Sequence, residues 1–200
     1  MSLMSFPVVA SSLVLAGLLG ACGAQSDEDY LGQSQLRLAG TVVNTLAVAP
    51  AAEVTILWTY DTGTGDFSVG QSVSVIGAFP AAFALDLFEP PVGLPAETFA
   101  TIGLITAVSP TLAGTVDESD LLGIAEDHVL VYLARDVATL PAAERAQAVE
   151  IFGGELTAGF HLMAVTPSTD VFDDMTPIPS TAPITVRLGA AGSLDIPNVF

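Results

Sequence analysis

Apolar and polar residues alternate with a period of two along most of the chain from about Gln35 onward. That is the spacing of a strand with one face on a core and one in water. "LRLAGTVV" (36–43) and "EVTILWTY" (53–60) show it most clearly, and both are rich in β-branched residues. "FSVGQSVSVIG" (67–77), "AFALDLF" (82–88), "FATIGLITAV" (99–108), "HVLVYLA" (128–134), "FHLMAV" (160–165) and "ITVRLG" (184–189) continue the pattern. Between them lie segments with turn chemistry: "DTGTGD" (61–66), "EPPVGLP" (89–95) and "TPIPSTAP" (176–183). Seven to eight short strands with this spacing predict an all-β protein, an antiparallel β-sandwich.

One segment departs from period two. "TLPAAERAQAVEIFGG" (139–154) is alanine-rich, with Pro141 suited to a first helical turn and Gly153-Gly154 suited to a stop. It predicts one short helix over 141–152, whose Leu140, Val149 and Phe152 cap an open edge or end of the sandwich.

The first 34 residues follow neither period. Residues 3–21 carry no charge, and Phe6–Gly20 is apolar enough for the core of a signal peptide. The run closes on Leu19-Gly20-Ala21-Cys22, and Cys22 is the only cysteine in the chain. This resembles a bacterial lipobox: an aliphatic residue, two small ones and a thiol. Small residues let an extended backbone enter a peptidase cleft, and the thiol is the one group there nucleophilic enough to accept a lipid. The resemblance implies cleavage after Ala21, acylation of Cys22 and attachment to a membrane in a bacterial cell envelope. Gly23 stands where an inner-membrane retention signal has Asp, which directs the protein to the outer membrane. The stretch "MSLMSFP" has no Lys or Arg, unlike most such leaders. An uncleaved apolar anchor is the competing reading, since about 18 apolar residues span a bilayer, but Pro7, Ser11, Ser12 and the glycines make a poor permanent helix. The division expected is a leader over 1–21, a polar tether over 22–34 and one β domain over 35–200.

A second resemblance concerns the start of the domain. "LAGTVVNTLAVAPAAEVTILW" (38–58) is similar to the opening of transthyretin-like, or carboxypeptidase-regulatory-like, β-sandwich modules. Gly40, Val42, Pro50, Val54 and Ile56 match the family pattern, and Ala51 and Ala52 stand where the family has a glycine. The resemblance implies a prealbumin- or immunoglobulin-like sandwich in a non-catalytic accessory or adhesive role, presenting loops to an envelope protein or a glycan. An eight-stranded outer-membrane barrel is a further all-β option, since the sequence ends on Phe200. One Trp and three Tyr are too few for two aromatic girdles, and Pro197 interrupts the last would-be strand.

Charge narrows the partners. There are 22 acidic residues against four basic ones, all arginine, for a formal charge of −18. Such a chain lacks the basic footprint that nucleic acid requires.

Candidate chemistry is sparse. "GQSVS" (70–74) is not a nucleophile elbow, because Ser74 replaces its second glycine. No phosphate loop exists and no lysine could serve one. His128 and His161 lie in apolar strands. With Glu126 or Asp127 they would suit zinc if their strands were neighbours; the simpler reading is two strand-end imidazoles bonded to backbone. Acidic loops hold Asp61 and Asp66, then Asp117, Glu118 and Asp120, then Asp170, Asp173 and Asp174. Calcium takes six to eight oxygens from flexible loops. Asp117, Glu118, Asp120, Asp61 and Asp66 are therefore weak calcium candidates, and solvated turns are the plainer account. No cofactor and no catalytic residue is assigned. A calcium-dependent adhesive module or an envelope hydrolase using the acidic loops is the rival class.

Overall fold

A computed structural model describes residues 35–47, 50–58, 68–75, 78–110, 120–166 and 173–190. Cys22 and its leader, with Asp61, Asp66, Asp117 and Glu118, lie outside the described residues.

The period-two segments form strands because alternation lets each bury one row of side chains. In β1 (Leu36–Asn44) the fully buried residues are Leu38 and Val42. In β4 (Ala81–Leu87) Ala81, Phe83, Leu85 and Leu87 point inward, while Ala82 is exposed and Ala84 and Asp86 are half-buried. β9 (Ile184–Leu188) alternates in the same way, with Thr185 and Arg187 outside. The remaining strands are β2 (Ala52–Trp58), β3 (Ser68–Val75), β5 (Ala100–Val108), β6 (Leu121–Leu133), β7 (Gly159–Thr166) and β8 (Asp174–Pro177).

Pairing runs through all of them as one sheet in the order β3-β2-β5-β6-β9-β1-β4, with β7 also on β6 and β8 on β7. The sheet curls until it is nearly closed into a barrel-like shape. Antiparallel pairing holds for every pair but one: β1 and β9 run parallel, Gly40 opposite Ile184 through Asn44 opposite Leu188. The wholly antiparallel arrangement expected from the sequence is corrected here. The long stretch between β1 and β9 places no hairpin constraint on their relative direction, so either sense satisfies the backbone.

Where β3 and β4 meet, glutamine side chains bind the backbone. The Phe88 N–H donates to Gln71 Oε1 at 2.9 Å, and Gln35 Nε2 donates to the Phe88 carbonyl at 2.8 Å. Both polar groups of Phe88 are thereby satisfied beyond the end of β4.

The inside of the curl is apolar and packed. Leu38, Val42, Val54, Ile56, Trp58, Phe83, Ile105, Leu130, Leu162, Ile184 and Val186 form one cluster. Outward positions of β1, β4 and β9 carry Arg37, Ala39, Ala82, Asp86, Thr185 and Arg187. An outer-membrane barrel has the opposite polarity, apolar outside and polar within. No helix among the described residues is long and apolar enough to cross a membrane.

A second cluster lies on the outer face of β5, β6, β7 and β8, with Leu104, Ile124, Val131, Met163 and Met175. Helix α1 (Ala142–Phe152) covers it. Pro141 precedes the first turn, and Gly153 ends the helix at φ 68°, the left-handed conformation glycine adopts without a Cβ penalty. Leu140, Ala148 and Phe152 are buried in this cluster, with Val149 packed against it. A short 3-10 turn, Val137–Thr139, joins β6 to the helix.

Gly40 is fixed by close approach. A Cβ there would collide with the Ile184 carbonyl oxygen and lie 2.8 Å from Phe83 Cε1. Only a bare backbone lets β9 lie beside β1 at this register. Gly40→Ala is expected to lower stability by about 1–3 kcal/mol, read as the shift of the urea midpoint. Unchanged stability would contradict the β1–β9 pairing.

Candidate functional site

The sheet departs most from regularity in β6, at "AEDH". Thr106 pairs with Ile124 and Leu104 with Val129. Between those pairs β6 has Ala125, Glu126, Asp127 and His128, whereas β5 has only Ile105. Bulges re-aim side chains and occur often beside functional sites. This one coincides with a change of partner on the other edge of β6. Gly123 and Ile124 pair with β9, while His128 through Leu133 pair with β7.

The bulge gathers three of the residues singled out in the sequence. Glu126 Oε2 lies 3.5 Å from Arg187 Nε on β9, a half-exposed contact that ties the bulge to the strand being left behind. The His128 Nδ1–H donates to Asp127 Oδ1 at 2.7 Å. The imidazole is 12% exposed and the carboxylate 66%. A carboxylate on Nδ1 leaves Nε2 of a neutral ring as the acceptor, the orientation a general base uses. Among the described residues no hydroxyl or thiol bonds to this ring.

The two histidines do lie on neighbouring strands, but they do not converge. His128 pairs with Ala164 and His161 with Val131. By alternation His128 shares the face of Leu130 and Tyr132, and His161 the opposite face with Val129 and Val131. His161 Nε2 donates to the Thr157 carbonyl at 2.7 Å. A zinc site built on both imidazoles is therefore excluded by register. Among the described residues no group of three or more His, Cys, Asp and Glu could hold a metal ion. Of the calcium candidates Asp120 alone is described, and its carbonyl accepts the Ser109 N–H at 3.4 Å.

A second feature, which the sequence reading missed, is an aromatic row on the inner face. Thr101, Tyr132 and Phe160 are cross-strand neighbours on β5, β6 and β7. The Tyr132 and Phe160 rings are 5.0 Å apart and tilted by 55°. Trp58 packs against Phe160 at 6.1 Å. Its ring passes over Gly103, where a Cβ would lie 2.7 Å from it. The Thr101 side chain is 5% exposed, and its hydroxyl has no hydrogen-bond partner. The row could not be read from spacing, because its members lie on three strands.

The four arginines are each engaged: Arg37 with Asp86, Arg145 with Glu155, Arg187 with Glu126, and Arg135 over the Phe99 ring.

Comparison of the chain with protein-family models, with curated proteins and with solved structures finds no match.

Burying a hydroxyl without a partner costs free energy that an isosteric methyl does not. Thr101→Val is expected to be neutral or to stabilise the protein by up to about 1 kcal/mol. A clear loss of stability on thermal unfolding would reveal a partner for that hydroxyl.

Proposed function

We propose that this chain is a lipid-anchored protein of the bacterial cell envelope, directed to the outer membrane, whose β domain has a non-catalytic binding or structural role. The observation that carries the reading is "LGAC" (19–22), which places the chain's sole cysteine at the end of an apolar run. The leader ends after Ala21, Cys22 carries the lipid, and the polar tether 22–34 leads to the domain at Gln35.

Two features support a binding or structural role for the domain. Its inner cluster is filled by large side chains, so the curl serves as a core. At the bulge, Glu126 is spent on Arg187 and the His128 imidazole on Asp127. The finer assignment, a transthyretin-like or immunoglobulin-like sandwich module, rests on Gly40 and Val42 of β1 and Val54 and Ile56 of β2. Val42, Val54 and Ile56 share one core, and Gly40 lets β9 approach. The partner is an envelope protein or a glycan. The formal charge of −18, with each arginine already engaged, opposes nucleic acid.

Cys22→Ala is expected to abolish labelling by a fatty-acid tracer and to leave the leader uncleaved; a variant that still labels would contradict the anchor. The calcium-dependent alternative has its own measurement on a soluble Gln25–Phe200 chain. Calcium at 100 times a dissociation constant would add about 2.7 kcal/mol of stability. No shift in melting temperature is expected, and a shift of that size would move the assignment to the acidic loops.

A further inference from the structure

Among the described residues the buried polar side chains are Thr55, Thr101 and Thr106. Thr55 Oγ1 donates to the Gln71 carbonyl at 3.0 Å, and Thr106 Oγ1 to the Thr55 carbonyl at 3.4 Å. Thr101 differs: it is 5% exposed and its hydroxyl has no partner. Valine would fill a strand position of this kind without stripping water from a hydroxyl. A buried water would answer the hydroxyl only where about three polar groups surround it.

The surroundings of Thr101 are rings and bare backbone. It shares its face of β5 with Gly103 and lies across the sheet from Tyr132, which lies across from Phe160. The buried Trp58 completes the row. Its six-membered ring lies over Gly103, and its Nε1 is over Gly70 on β3, away from Thr101. Tyr132 therefore brings the one other hydroxyl to the row. Tyr132 and Phe160 are half-buried, as are Leu36 at the start of β1 and Ala182 just before β9. All four pack on the inner cluster at the end of the curl where β6 finishes.

We propose that this end of the curl is a binding site for a small neutral ring compound with a single hydroxyl, an alicyclic or phenolic alcohol, whose ring packs on Tyr132 and Phe160 and whose hydroxyl bonds to Thr101 Oγ1. The half-buried Tyr132 ring turns aside to admit it. Apolar sites with a few convergent polar groups occur in the mouths of β-barrels. The row also sets the chemistry of the ligand. One hydroxyl answers one polar group, so a sugar would bury several hydroxyls without partners. No charged side chain stands in the row, and the formal charge of −18 repels anions. The site goes beyond the binding role proposed above and does not depend on the lipid at Cys22.

Trp58 is the only tryptophan in the chain and packs against Phe160, so its emission reports on the row. Cyclohexanol, which does not absorb where tryptophan is excited, is the probe, titrated into the full-length protein. A saturable change in Trp58 emission is expected. Thr101→Val is expected to weaken cyclohexanol about tenfold, the loss of one hydrogen bond in a dry site. The same variant is expected to leave the response to cyclohexane unchanged. Thr101→Ser keeps the hydroxyl and is expected to retain most of the affinity, which separates the bond from the packing of the strand. A response that rises linearly without saturating would overturn the site. Equal cyclohexanol affinity in the wild-type protein and Thr101→Val, or affinity lost equally in Thr101→Ser, would overturn the role of the hydroxyl. Each of these failures would leave the anchor and the envelope partner untouched.

Discussion

The structure depends on one strand serving three others. β6 is 13 residues long and pairs with β5 along one edge on both sides of the bulge at Ala125–His128. Its other edge is divided between β9 and β7. A buried backbone N–H or carbonyl left without a partner costs about 1–3 kcal/mol. The edge of β6 therefore needs a partner wherever it is covered, and the bulge at Ala125–His128 is where one partner gives way to the next. Before the bulge β9 leads round to β1 and β4 and curls the sheet, while past it β7 and β8 extend the sheet to the side that α1 covers. The two apolar clusters follow from this division, one inside the curl and one beneath the helix.

That geometry also locates the polar chemistry. Glu126, Asp127 and His128 are drawn into one irregularity because a bulge must expose or re-aim the residues it inserts. Opposite charge is scarce in the chain as a whole: four arginines stand among 22 acids, and one of them, Arg187, meets Glu126 here. Net charge of one sign favours solubility and repels anions in general.

Strands with one wet face were legible in the sequence. β1, β4 and β9 alternate cleanly because their outward positions hold Arg37, Asp86, Thr185 and Arg187. The first half of β6 was not legible: Leu121 and Gly123–Ala125 are buried on both faces, so "LLGIA" shows no alternation. β8 was read as a turn because it is four residues long and ends in Pro177. Helix α1 was marked by Pro141 and Gly153, which act locally. Pairing is another matter. The parallel β1–β9 contact joins residues more than 140 positions apart, and nothing local encodes it. The two histidines show the same limit: each was placed in a strand from sequence, yet only register reveals that they occupy opposite faces. The resemblance to a lipobox can be read from sequence because it is confined to four consecutive residues, 19–22.

The divided edge of β6 is open to direct measurement by nuclear Overhauser contacts between backbone protons in solution. Cross-strand contacts of Ile124 with Arg187 and of Leu130 with Leu162 in the same sample are the result this account requires. Contacts placing β7 alongside β6 down to Gly123, with β9 on some other strand, would contradict it and point to two separate sheets.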